Sequence, residues 1–178
     1  MEKSATREKW IPLLLIALIV AVDQATKAWI VARYPGDGVF IADVFSNDLL
    51  WIIHVRNKAI AFSIGSGLPD SARYVLFIVL PAAVLIGLVA YYIKTDEFSP
   101  LQRWAVAGIV GGGLGNLIDR ILRPDGVVDF ISVKFFGLLG LSRWPTFNVA
   151  DSSVVVCGIL LFASVLLAPE NRKREGKA

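Results

Sequence analysis

The apolar residues of this chain gather in four long runs, over residues 11–32, 74–93, 104–122 and 149–168. Each is close to the roughly 20 residues that an α-helix needs to cross a bilayer. The first run is broken by Asp23, Gln24 and Lys27, and the second carries no charge. The third turns polar only near its end, at Asn116, Asp119 and Arg120, and the fourth holds Asp151 alone, near its start. Between the runs, "GVFIADVF" and "LLWIIHV" are rich in β-branched and aromatic residues and are flanked by Gly, Ser, Asn and Asp, the signature of short strands. "VVDFISVKFF" alternates weakly and predicts another extended piece. The expected fold is membrane all-α: one domain over residues 1–178, with four transmembrane helices, a small extracytoplasmic β-cradle, and outer loops 33–73 and 123–148.

Composition supports membrane spans over a soluble core. The chain is 56% hydrophobic with mean hydropathy +0.64, more apolar than a soluble domain of this length needs to be. Its net charge of +3 comes largely from the two ends, "EKSATREK" and "NRKREGK", beside apolar runs. That is the pattern of cytoplasmic flanks, so no nucleic-acid partner is expected. The tight loop "KTDEFSPLQR" is also rich in Lys and Arg, which puts both termini in the cytoplasm. The N-terminus resembles a secretory signal, but apolar character resumes at Ala28 with no small-residue cleavage site, and an uncleaved span is expected. The single Cys157 and single His54 exclude an intramolecular disulfide and the common structural zinc sets. Cys157 is expected to pack as a small hydrophobe. No metal or cofactor is expected.

Sorted by depth, the polar residues fall in one layer. Asp23 and Lys27 lie toward the outer end of the first span, Asn116, Asp119 and Arg120 at that of the third, and Asn148 and Asp151 at the start of the fourth. Ionisable groups within a bilayer cost about 2.5–3.5 kcal/mol each on insertion scales and face partners or water. Their convergence favours a pocket over scattered chain ends. Each group also has a simpler role. Asp23 and Lys27 stand i, i+4 in the order that suits a structural ion pair. Gly108, Gly112, Gly111 and Gly115 have the four-residue spacing of close helix packing. Asn116 and Arg120 share a face, and Asp119 points about a quarter-turn away. Asn148 and Asp151 alone make a capping box.

Asp129, in "GVVDFIS", alone reads as a strand residue facing water. Its segment nonetheless joins the Asp119–Arg120 end of one span to the Asp151 end of the next. A short loop there can bring Asp129 near Asp151. Two carboxylates in a poorly hydrated pocket share a proton, so one can activate water while the other donates to a carbonyl oxygen.

At these positions the chain resembles bacterial lipoprotein signal peptidases, the type II signal peptidases. The matching pieces are "DQATK" (23–27), "NKAIAFS" (57–63), "GGGLGNLIDR" (111–120), "VVDFI" (127–131) and "FNVADSSV" (147–154), in the family's order over nearly the whole chain. The resemblance implies a four-span inner-membrane aspartic endopeptidase that cleaves the signal peptide from prolipoproteins, just before a diacylglyceryl-modified cysteine. It implies a catalytic pair at Asp129 and Asp151, with support or substrate binding from Asp23, Lys27, Asn57, Asn116, Asp119, Arg120 and Asn148. It further implies prolipoprotein, membrane lipid and globomycin-type cyclic peptides as ligands, an active site at the outer face, and a monomer. One departure is Ala59, where the family usually has glycine.

Two other function classes fit parts of the pattern. A small transporter or channel would use Asp23, Lys27, Asp119 and Arg120 as a polar path, but needs polar residues in the inner halves of the spans too. A membrane chaperone or scaffold would not need Asp129 or Asp151 at all.

Overall fold

The computed structural model describes residues 9–58 and 68–167. Four helices are long and apolar enough to cross a membrane. They are α1 (Leu13–Arg33), α2 (Asp70–Lys94), α3 (Pro100–Leu122) and α4 (Val149–Leu166). Strands β1 (Val39–Asp43) and β2 (Leu50–Asn57) follow α1, and β3 (Val127–Val133) lies between α3 and α4. The strands form one antiparallel sheet in the order β1-β2-β3. The chain is therefore a mostly helical, multi-pass membrane protein with a small sheet at one end of its bundle. Ala59, where the sequence departs from the family pattern, lies outside the described residues.

The helix boundaries have local causes. α3 starts at Pro100 behind a Ser99–Gln102 capping box, because Pro needs no N–H partner in the first turn. α2 begins at Asp70, before the run read from hydropathy, and widens to a π-helix over Val75–Val79. α4 starts on the Asn148–Asp151 capping box.

α3 is the buried helix of the bundle, and its glycines decide how close its neighbours come. A Cβ on Gly108 would meet the Cys157 side chain, and one on Gly112 would meet the Ala150 carbonyl, both on α4. A Cβ on Gly111 would stand 3.1 Å from Ile19 Cβ on α1, and one on Gly115 would stand 2.7 Å from Asp23 Oδ2. Two interleaved small-residue stripes thus dock α3 onto two different helices, where packing rather than hydrophobicity drives association. Cys157 fills the space that Gly108 leaves.

The sheet is seated on the end of α1. Ile30 packs with Val128 and Phe130, and Val31, Ile41, Ile52, Ile131 and Val149 surround them. His54, fully buried on β2, places Nδ1 2.7 Å from the Tyr34 carbonyl that ends α1. As Nδ1–H donor, His54 ties the sheet to that helix end.

Candidate active site

The site assembles where α1, α3, α4 and β3 meet at the sheet end of the bundle. Its base is an ion cluster. Lys27 Nζ lies 2.8 Å from Asp23 Oδ2 and 3.1 Å from Asp119 Oδ2, with all three side chains fully buried. Its third donor goes to Asn116 Oδ1 at 2.9 Å. The i, i+4 pair read from the sequence is therefore part of a larger knot between α1 and α3. Asp23 Oδ1 also accepts the Ala150 N–H at 3.0 Å, in the first turn of α4. Asp119 accepts the Val128 N–H of β3 at 3.2 Å. One buried lysine and two carboxylates thus pin three helices and a strand.

Gln24 and Arg123 complete the cluster, and sequence reasoning missed both. Gln24 Nε2 reaches Asp119 Oδ1 at 2.9 Å and the Gly115 carbonyl at 3.0 Å. Arg123 Nη1 pairs with Asp119 Oδ1 at 2.6 Å. Arg123 stands i+4 from Asp119, a spacing that signals such a pair. The local sign of Gln24 is that it interrupts the first apolar run beside Asp23.

Asp129 and Asp151 sit above this base, each held by asparagines. Asn148 Nδ2 donates to Asp129 Oδ1 at 2.7 Å, and Asn57 Nδ2 donates to Asp129 Oδ2 at 2.9 Å. Asn116 Nδ2 donates to Asp151 Oδ1 at 2.7 Å, and the Asn148 N–H donates to Asp151 Oδ2 at 3.1 Å. Asn148 and Asn116 also touch each other, Nδ2 to Oδ1, at 3.1 Å. Asn148 therefore contacts both carboxylates while its own Oδ1 accepts the Asp151 N–H at 3.0 Å. The capping box and the link to Asp129 use different atoms of one residue.

Asp129 is 2% exposed on β3, which overturns the solvent-facing strand position that it suggests alone. Burial pushes its carboxyl up to about 7; the Asn57 hydrogen bond opposes this, the nearby Asp151 charge reinforces it, and Asn148 and Lys27 oppose it. The two carboxylates are thus electrostatically coupled.

Arg120 lies within electrostatic reach of Asp151, Asp129 and Asp119, yet among the described residues no partner accepts a hydrogen bond from it. It lines a cleft of about 260 Å³ with Asn57, Arg73, Tyr74, Phe77 and Gly126. This cleft opens beside the coupled pair, and its wall combines donors with aromatic rings. Among the described residues, no group of three His, Cys, Asp or Glu side chains is arranged to hold a metal ion.

All nine residues singled out from the sequence meet here, on α1, β2, α3, β3 and the start of α4. The fold and this layer define a polytopic membrane protein with a coupled pair of carboxylates, one buried and one half-buried, at one end of its bundle. The signal peptidase (SPase) II family model matches residues 15–167. A lipoprotein signal peptidase of Treponema pallidum is 47% identical over 90% of this chain and 85% of its own. One from Treponema denticola is 45% identical over 94% of this chain and 95% of its own. A bacterial membrane enzyme solved by the in meso method superimposes with TM-score 0.75 at 32% identity, covering 93% of this chain and 94% of that one. The chain belongs to the signal peptidase II family.

Proposed function

We propose that this protein is an aspartic endopeptidase that removes the signal peptide from diacylglyceryl-modified prolipoproteins, cutting before the lipidated cysteine. The observation that carries this reading is the pair of buried Asp129 and half-buried Asp151, held by a shared asparagine shell at one end of the bundle. Family membership supplies the substrate class. The basic tails and four spans support cytoplasmic termini, with the pair at the outer face of the bacterial inner membrane. The chain then acts as a single peptidase domain and as a monomer, and globomycin-type peptides occupy the same cleft.

The chemistry follows from the hydrogen bonds. Asp151 is the base: its oxygens accept from Asn116 and the Asn148 N–H, and the α4 N-terminus favours negative charge there. Asp129, half-protonated near neutrality, is the acid. Water between them adds to the scissile carbonyl carbon, giving its proton to Asp151 as Asp129 donates to the carbonyl oxygen. The resulting gem-diol collapses: Asp151 returns its proton to the leaving nitrogen, the C–N bond breaks, and a diol hydroxyl reprotonates Asp129. Both carboxyls end as they began. Arg120, with its free donors, binds peptide carbonyls beside the pair. Asn57 holds Asp129 in register, and Asp23, Lys27, Asp119 and Asn116 brace the asparagines.

Asp129→Asn and Asp151→Asn test the proposal. Each is expected to lower cleavage of a lipidated preprotein in liposomes by at least about 10²-fold, with the thermal unfolding of the purified variant near that of the parent. Full activity in either variant sinks the paired-carboxylate mechanism.

A further inference from the structure

The sheet has two unlike ends. At one, Asn57 of β2 pairs with Val127 of β3 beside the carboxylates. At the other, Asp43 pairs with Trp51 and Leu50 pairs with Val133, so the β1–β2 turn and the segment after β3 lie side by side. That segment folds back as a hairpin, with Lys134 bridging Arg143 and the Trp144 N–H donating to the Val133 carbonyl at 2.9 Å. Its tip, "FFGLLGL" (135–141), carries no charge or polar side chain. Phe136 is 75% exposed, Leu138 60% and Leu139 82%.

We propose that this hairpin tip is a membrane anchor: it inserts Phe136, Leu138 and Leu139 into the leaflet at the sheet end and holds the distal end of the sheet on the bilayer.

Four observations favour lipid as the occupant. The tip pairs most of its own backbone: of its seven N–H groups, those of Phe135, Gly137, Leu138, Gly140 and Leu141 donate within residues 135–142, at 2.8 to 3.0 Å. Each internally paired group lowers the cost of moving backbone from water toward hydrocarbon. The backbone also accepts strain to present these side chains, since Phe136 and Leu139 both hold φ of 55°, a conformation that costs a residue with a Cβ about 1–2 kcal/mol. The hairpin base has interfacial chemistry: the Phe135 and Trp144 rings lie 4.9 Å apart, beside Lys134 and Arg143, which pair with Asp48. Aromatic and cationic residues below an apolar tip match the headgroup layer. Finally, residues from all three strands pack around the last turn of α1. The sheet is therefore seated on the bundle end, next to the outer end of a membrane span.

The first arm of the test needs no activity, so its failure is separable from that of the peptidase reading. In a Cys157→Ser background, Leu139→Cys is labelled with an environment-sensitive fluorophore and reconstituted in phosphatidylglycerol–phosphatidylcholine vesicles. Quenching by doxyl-labelled lipid is expected to exceed quenching by aqueous iodide several-fold. Stronger quenching by iodide overturns the anchor. Protection from both quenchers also overturns it and assigns the tip to a second copy or another protein. As a second arm, the triple variant Phe136→Ser, Leu138→Ser, Leu139→Ser is expected to keep parental cleavage in detergent micelles and to raise KM several-fold in vesicles. Unchanged kinetics in vesicles overturn the functional part.

Discussion

Asn148 shows how much one side chain decides. Its Oδ1 caps α4 by accepting the Asp151 N–H, and its Nδ2 lies against Asp129, Asn116 and the Val128 carbonyl. A serine cap would satisfy the helix equally well, but it has no second arm for Asp129. Asn57 provides the sharper measurement. Its hydrogen bond opposes the burial that raises the Asp129 carboxyl to about 7. The proposed acid must be protonated, so activity is expected to fall as pH rises through about 7. Asn57→Ala removes a bond that favours the charged form, so this alkaline limb should move to higher pH in a kcat/KM profile. A limb that stays in place or moves down separates Asp129 from the proton donor. The sign carries over to stability. Folding raises this carboxyl above its ordinary value, so the native state binds its proton more tightly. Its contribution is full below the ordinary Asp range and is lost as pH rises through about 7.

At the scale of elements, α3 organises the bundle by being thin. Its two glycine stripes let α1 and α4 approach closely enough for Lys27 to reach Asn116 and Asp119, and for Asn116 to reach Asp151. Closeness is thus a condition of the site as well as of the fold. Gly112→Ala would drive its Cβ into the Ala150 carbonyl, which is backbone and cannot rotate away. We expect a loss of about 1–3 kcal/mol, read as a lower unfolding midpoint in detergent, together with impaired cleavage. Gly158→Ala is the internal control: its Cβ meets nothing within 4 Å, so stability should hold or rise slightly, as Ala is the better helix former. Equal effects of the two substitutions remove close packing as the reason for the stripe.

Over the whole molecule, polarity is stratified. Apart from Arg103, in the first turn of α3 near Asp96 and Tyr92, the buried charges of α1 and α3 cluster at the sheet end, where Lys27 and Arg123 are matched by Asp23 and Asp119. The opposite end has its own, smaller tie: Lys9 pairs with Asp96 at 2.7 Å, and the Tyr92 hydroxyl donates to the Lys9 carbonyl at 2.6 Å. The proposed topology puts the Lys9–Asp96 end in the cytoplasm. With Cys157→Ser as background, Asp125→Cys is expected to react with a membrane-impermeant maleimide on intact spheroplasts. Glu97→Cys is expected to react only after lysis. The reverse pattern inverts the protein in the membrane and moves the carboxylates to the wrong face for exported lipoproteins.

The sequence by itself determined the elements and the depth of the polar layer. Four long apolar runs must be helices, because backbone in hydrocarbon has to satisfy itself, and the positions of Asp23, Lys27, Asn116, Asp119, Arg120, Asn148 and Asp151 along them already mark one layer. Local spacing also carried the Asp23–Lys27 pair and the Asn148 cap. Tertiary structure alone decided who meets whom. Lys27 and Asn116 are 89 residues apart, as are Gln24 and Asp119 by 95, and no periodicity encodes such a contact. It also reversed the water-facing position of Asp129, because burial there comes from α1, α4 and the flanking strand rather than from β3 itself. The same holds for the apolar hairpin tip: "FFGLLGL" could have been core, and only the folded hairpin shows Phe136, Leu138 and Leu139 facing outward. Pattern along a chain reports the environment each residue needs, whereas partners are chosen by packing in three dimensions.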